Sequence, residues 1–355
     1  MAEPASREAQ RRAYGGRWGL QSLIGQRLGD YLLESELGQG SMGAVYAARH
    51  TADGKTFAVK VLLDTLAADM MFVTRFTREA RIIARLRHPN IVRVYEAGRQ
   101  GQHLYFVMEY FHGVTVGSIL KERGRLPLGQ AIEIAAQAAD ALDYAHREGR
   151  LVHRDIKPEN LLVDRWCRVK MLDFGLARVE GLQSITRAGT VVGSLYYVSP
   201  EQLLGRPVDS RADIYALGVS LYEMVTGQRP YRGQNLTDMS RAILSGAAIP
   251  PSQLEPAVTP ELERVIAHAM LRDPDQRYAR AGELCEDLRA LQAAHPAPAE
   301  SAITAESEPQ RPLADAPPNG PFRRRTLVPV APPQPQLPQE QPPATRGYPP
   351  RRPDD

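Results

Sequence analysis

Cysteine is almost missing from this chain: Cys167 and Cys285 are the only two in 355 residues, and they form no CxxC pair. That excludes a disulfide framework and a cysteine-built zinc site, and it fits a reducing, cytoplasmic compartment. Long hydrophobic runs are absent too, since no stretch approaches the roughly 20 apolar residues needed to span a bilayer. The N-terminal MAEPASREAQRRAYGGRWGL carries charge but no apolar signal core. Excess charge is also lacking, because a net charge of +3 is too small to argue for nucleic acid as a partner. No internal repeat is evident. What remains, 43% hydrophobic and 24% charged residues, is ordinary for a soluble enzyme. The length allows one large domain or two lobes with tails.

Composition divides the chain in three. Residues 1–30 are polar and arginine-bearing without sustained periodicity, which predicts a disordered or loosely ordered extension. Residues 293–355 shift abruptly to Pro, Ala, Gln and Arg, a mixture that buries too little surface to offset its chain entropy. Within that tail Pro332, Pro335 and Pro338 give two overlapping PxxP spacings, and Arg323-Arg324-Arg325 precedes Thr326. Either could dock a partner and Thr326 could accept phosphate, but a solvated spacer is the favoured reading.

The middle of the chain is organised around LVHRDIKPENLLVDRWCRVKMLDFG, residues 151–175. Apolar strand-like pieces (Leu151-Val152, Leu161-Leu162-Val163, and Val169 to Leu172) enclose a loop crowded with Asp155, Lys157 and Asn160, and lead to Asp173. Clustered polar groups between buried strands cost stability unless they find partners. Magnesium and a triphosphate would be such partners. The stretch resembles the eukaryotic-type (Hanks-type) serine/threonine protein kinases of bacteria, whose catalytic loop is H-R-D followed by Lys and Asn, then D-F-G. The match is ungapped and keeps the spacing.

Other stretches carry the same resemblance. Gly38-Gln39-Gly40-Ser41-Met42-Gly43 lies between two strand patterns, whereas a dinucleotide fingerprint opens a helix, and Val45 completes GxGxxGxV. Glycine lets backbone lie close over phosphates without a Cβ in the way. Lys60 sits inside the apolar strand Phe57–Leu62. Phe72, Phe76, Ile83 and Leu86 make a helical stripe that also holds Glu79, an inward carboxylate that needs a cation, and Lys60 is the obvious one. Residues 91–95 read as a strand, and apolar positions from Ala131 to Ala145 as an amphipathic helix ended by Gly149.

The resemblance implies an α+β, bilobal protein kinase fold over residues 31–292. A small β-rich N-lobe with one key helix spans 31–108, the hinge 109–113, and a larger, mostly helical C-lobe 114–292. It makes Asp155 and Lys157 catalytic, Asn160 and Asp173 metal ligands, and Lys60, paired with Glu79, the holder of phosphates. Leu37, Val45, Ala58 and Leu162 would sandwich adenine beneath the Gly38, Gly40 and Gly43 loop. Met108 would guard the back of that pocket, with Glu109 and Phe111 facing the base. The activation segment would run over 173–201, with Ser184, Thr186 and Thr190 as regulatory phosphosites and Arg154 as their cationic receptor. Ser194 would position substrate. Asp213, at a helix start, reads as structural, as do Glu201 and its buried partner Arg277.

The implied activity is that of a non-specific protein serine/threonine kinase that uses ATP with Mg2+, or Mn2+ as an alternative, and autophosphorylates. Implied partners are protein substrates, a homodimer through the N-lobe and a partner for the tail, with no membrane span. Two rival classes are weighed against this. A pseudokinase scaffold predicts loss at Lys60, Asp155, Asn160 or Asp173, and none is lost. Small-molecule phosphotransferases generally lack the Ser199-Pro200-Glu201 closure, the Asp213 helix and the Arg277 partner, all present here.

Overall fold

The alternating pattern between Arg27 and Glu109 folds into one antiparallel sheet. The computed structural model describes residues 23–40, 42–174, 193–233 and 235–292. Ser41, Ser184, Thr186, Thr190, the proline-rich tail with Thr326, and the side chains of Phe76 and Ser194 lie outside the described residues. The strands are β1 (Arg27–Leu28), β2 (Tyr31–Gly40), β3 (Gly43–His50), β4 (Thr56–Leu62), β5 (Val94–Gln100) and β6 (His103–Glu109). They lie in the order β1-β2-β3-β4-β6-β5. Two helices, α1 (Asp64–Ala68) and α2 (Met70–Ile83), follow β4. Asp69 caps α2 by accepting from the amides of Met71 and Phe72.

Strand alternation gives this sheet two faces. Val59 and Val61 pack in an outer cluster with Leu33, Tyr46 and Val107, while Ala58 and Leu62 join the cluster that runs on into the second half of the molecule. Lys60 shares the face of Ala58 and Leu62, opposite Val45 on β3 and Phe106 on β6. That alternation delivers a lysine to the inner surface of the sheet.

Beyond β6 the chain is mostly helical. A second sheet of β7 (Val114–Thr115), β8 (Leu161–Val163) and β9 (Val169–Met171) accompanies α3 (Val116–Arg123) and α4 (Leu128–Gly149). After it come α5 (Pro200–Leu203), α6 (Arg211–Thr226), α7 (Leu236–Ser245), α8 (Pro251–Leu254), α9 (Pro260–Ala269) and α10 (Ala281–Gln292). α6 is buried almost all round, as a core helix must be when apolar on every face. Gly218 lets α9 approach it closely, since a Cβ there would lie 2.9 Å from that of Ala269. No helix among the described residues is long and apolar enough to cross a membrane.

Several sequence expectations shift. α2 ends at Ile83, so Leu86, though only 5% exposed, packs from the following turn and not from the helix. The strand expected at 91–95 begins at Val94, because Ile91 bridges to Met171 of the second sheet instead. Residues 151–152 are not strand. Gly149 is the last residue of α4, and the left-handed cap is Arg150 at φ 50°.

Candidate active site

Backbone geometry around residues 153–160 is fixed from below by α6. Asp213 Oδ2 accepts from the His153 amide at 2.7 Å and Oδ1 from the Arg154 amide at 2.7 Å. Asp213, read from the sequence as structural, lies in the first turn of α6 behind Ser210 at the capping position, and its carboxylate serves the loop. Burial pushes the Asp213 pKa up, while His153 and the two amides oppose the shift. Arg154 adopts φ 67°, a left-handed conformation that costs on the order of 1–3 kcal/mol outside glycine. The anchored amides hold it there.

His153 is fully buried, and its Nε2 meets the Leu172 carbonyl at 2.7 Å. A carbonyl only accepts, so the proton sits on Nε2 and Nδ1 is free to accept from the Asp155 amide at 3.4 Å. The ring also packs on Phe174 at a centroid distance of 4.6 Å. One imidazole therefore ties the 153–155 segment to the 172–174 segment.

The polar residues converge above this base. Asn160 donates from Nδ2 to the Asp155 carbonyl at 2.7 Å and to its Oδ2 at 3.0 Å. Lys157 Nζ donates to the same Oδ2 at 2.7 Å. From the other lobe Lys60 reaches Asp173 Oδ1 at 2.6 Å, with Lys60 only 6% exposed. Burial works to raise the Asp173 pKa, but the charge and hydrogen bond of Lys60, with His153 and Lys157 behind it, bring it below the ordinary carboxylate value. Lys60 thus pairs with Asp173 in this structure, while Glu79 stands half-buried on α2.

The residues expected to wall a nucleobase differ in exposure. Ala58 and Met108 are buried, Val45, Leu162 and Phe111 are half-buried, and Leu37 is 48% exposed. The Glu109 amide donates to the Arg93 carbonyl, and its Oε2 accepts from the Arg93 amide at 3.2 Å and from Lys170 Nζ at 2.8 Å, which ties the hinge to β9. The three glycines differ in what they do. A Cβ on Gly43, at φ 148°, would lie 1.9 Å from the Val61 carbonyl, so this glycine serves strand packing. A Cβ on Gly38 would meet nothing within 4 Å, which leaves the first half of the loop open above the cleft.

Ser199 is fully buried and forms a capping box with Gln202, whose Oε1 accepts from the Ser199 amide at 2.9 Å. Arg277 grips Glu201 with two bonds of 2.8 and 2.7 Å and spends its remaining donors on the carbonyls of Leu271, Arg211 and Arg272. Nearby, Tyr197 donates to Glu223, which also pairs with Arg229.

Sequence reasoning missed two anchors. Asn90 donates from Nδ2 to Gln137 and to the Val169 carbonyl, its own carbonyl accepts from the Met171 amide, and the Val92 amide donates to the Met171 carbonyl. Its position in a turn gave no signal. Lys170 was legible as the polar residue between two buried neighbours on β9, but its partner Glu109 was not.

Comparison with known proteins gives a consistent set of likenesses. The model of the protein kinase domain family matches residues 31–288. A probable serine/threonine-protein kinase of Clostridium acetobutylicum is 40% identical over 267 residues, 75% of this chain and 40% of its own length. Serine/threonine-protein kinase PknB of Mycolicibacterium smegmatis is 41% identical over 270 residues, 74% of this chain and 43% of its own length. This chain thus spans less than half the length of the curated relatives it matches. Among solved structures, the PknI kinase domain of Mycobacterium tuberculosis aligns with a TM-score of 0.61 at 30% identity, covering 78% of this chain and 100% of that one.

Proposed function

The chain belongs to the protein kinase domain family, of the bacterial Hanks type, and on that premise we propose that it transfers the γ-phosphoryl group of ATP to serine or threonine hydroxyls of proteins. The observation that carries the reading is the approach of Lys60 to Asp173 across the cleft, beside the Asp155–Lys157–Asn160 cluster.

Each residue then has a role that its contacts support. Lys60 holds the α- and β-phosphates, and Asp173 is oriented by it. Asp155, with Oδ2 held by Lys157 and Asn160, offers its other oxygen to the substrate hydroxyl and takes up or orients its proton. Lys157 neutralises charge on the transferring phosphoryl. Little covalent help is required, because the phosphoryl transition state is loose and catalysis is positioning plus electrostatics.

A divalent ion fits the donor set. Asn160 gives its amide nitrogen to Asp155, which turns Oδ1 into the end available to a cation, and Asp173 supplies a carboxylate of low pKa. Two such oxygens suit Mg2+, which keeps several waters and takes the rest of its shell from phosphates. When bound, the ion neutralises charge on the phosphates.

The remaining readings rest on the family likeness. Glu79 pairs with Lys60 in the active arrangement; the segment to 201 carries the regulatory phosphosites; Ser194 contacts the acceptor site. Supplied with Mg2+ and ATP, the purified chain should label itself or a generic substrate on Ser or Thr, and Asp155→Asn should abolish the label. Undiminished labelling by that variant would remove Asp155 from the chemistry.

A further inference from the structure

The turn between β8 and β9 holds an exposed tryptophan that the catalytic reading does not use. Trp166 is 51% exposed. Its ring has the Arg165 guanidinium 4.3 Å and the Arg168 guanidinium 4.8 Å from the centroid. The turn beneath it is well fixed. Buried Asp164 accepts from the amides of Trp166 and Arg168 at 3.0 and 2.9 Å and pairs with the Arg168 side chain at 2.7 Å. Arg165 makes no ion pair with any described residue. The result is a rigid, half-exposed indole with two guanidinium groups over its ring, a cationic aromatic surface suited to an extended, acidic, proline-bearing peptide.

A segment of that composition starts close by. α10 ends at Gln292, whose side chain donates to Glu133 on α4. Glu133 accepts in turn from Gln137 at 2.7 Å, and Gln137 donates to the Cys167 carbonyl at 2.8 Å. A short relay of hydrogen bonds therefore joins the end of α10 to the residue next to Trp166. The chain continues as AAHPAPAESAITAESEPQ, with Pro296 and Pro298 followed by Glu300, Glu306 and Glu308, and no lysine or arginine before Arg311. The prolines and the first glutamate stand four to eight residues past Gln292, an extended reach of roughly 13–28 Å. Farther along, Arg311 and Arg323–Arg325 have the wrong sign for this edge.

We propose that residues 296–308 dock in cis on the Trp166 surface. Proline rings lie on the indole and the glutamates pair with Arg165, so the tail is strapped along α4 and α10 before it departs. This holds whatever the substrate of the enzyme, because none of these residues belongs to the catalytic cluster.

The test uses the full chain carrying Trp18→Phe, so that Trp166 is the sole indole and acrylamide quenching reports it alone. Reversing the tail charges (Glu300→Lys, Glu306→Lys, Glu308→Lys) should raise the quenching constant. Arg165→Glu alone should raise it too, and the two sets combined should return it towards the starting value. Three outcomes overturn the proposal. One is quenching indifferent to the tail charges; another is failure of the combination to restore protection. The last is protection that fades on dilution, which would assign the ring to a second copy.

Discussion

Two ion pairs in this molecule have nearly the same length and opposite settings. Lys60 and Asp173 meet at 2.6 Å across the cleft, with 7% and 30% of their side chains exposed. Arg277 and Glu201 meet at 2.7 Å inside the helical lobe, at 0% and 6%. The second pair is bidentate and every donor of the arginine is satisfied, whereas the first is a single contact between elements from different lobes. Length alone thus says little about what an ion pair is for. A fully satisfied, dry pair holds a fold in one state; a half-open pair can trade one partner for a ligand.

The comparison breaks if the two pairs respond alike to mutation. Lys60→Met should lower phosphoryl transfer roughly a thousandfold, because it removes electrostatic positioning. It should cost less stability than loss of the buried pair, because the Asp173 side chain it strands is 30% exposed. Turnover near that of the parent would place Lys60 outside the site. Arg277→Met should do the reverse at the level of folding. It leaves the Glu201 carboxylate buried without its cation, a loss of about 3–5 kcal/mol in a denaturant titration. A midpoint within error of the parent would show that the buried pair is dispensable.

Acid sharpens the contrast. Asp173 has a folded-state pKa below its ordinary 3.8, so the stability its pair contributes is fully present above that value and is lost as pH falls through the lower one. The stability difference between the parent and Asp173→Asn should therefore stay constant from pH 8 to about pH 5 and narrow only below about pH 4. A difference that narrows near neutrality would contradict the assigned direction. The smallest effect concerns the thiols. Burial pushes Cys167 up to about 12 and also raises Cys285, so neither should react with a thiol reagent at pH 8 until the protein unfolds. Labelling of Cys167 in the native chain would show that the β8–β9 turn opens.

The residues of the cleft were legible because phosphoryl chemistry restricts residue type and spacing together. Asp155, Lys157 and Asn160 are neighbours in sequence, and no other loop of the chain concentrates such groups between apolar strands. What stayed illegible depends on contacts distant in sequence. The Ile91 region looked like a strand by composition, yet its backbone pairs with Met171 across the lobes, and β5 starts later. Gly149 carried a stop signal, but tertiary packing let the helix use it and turn at Arg150 instead. Gly43 reads as a phosphate-loop glycine, and long-range pairing adds a requirement no local pattern showed, since a Cβ there would strike the Val61 carbonyl. In the sequence Ser199 reads only as part of the Ser199-Pro200-Glu201 closure, and its hydroxyl proves to be half of a capping box. Local pattern names the chemistry, while long-range pairing decides where elements begin and end.

The most direct test of the account is ATP affinity measured with and without Mg2+ in the parent chain and in Asp173→Asn. If Lys60, Asn160 and Asp173 surround one metal–nucleotide, Mg2+ tightens ATP binding to the parent and leaves the variant almost indifferent to the ion. An equal tightening in both proteins would contradict that convergence.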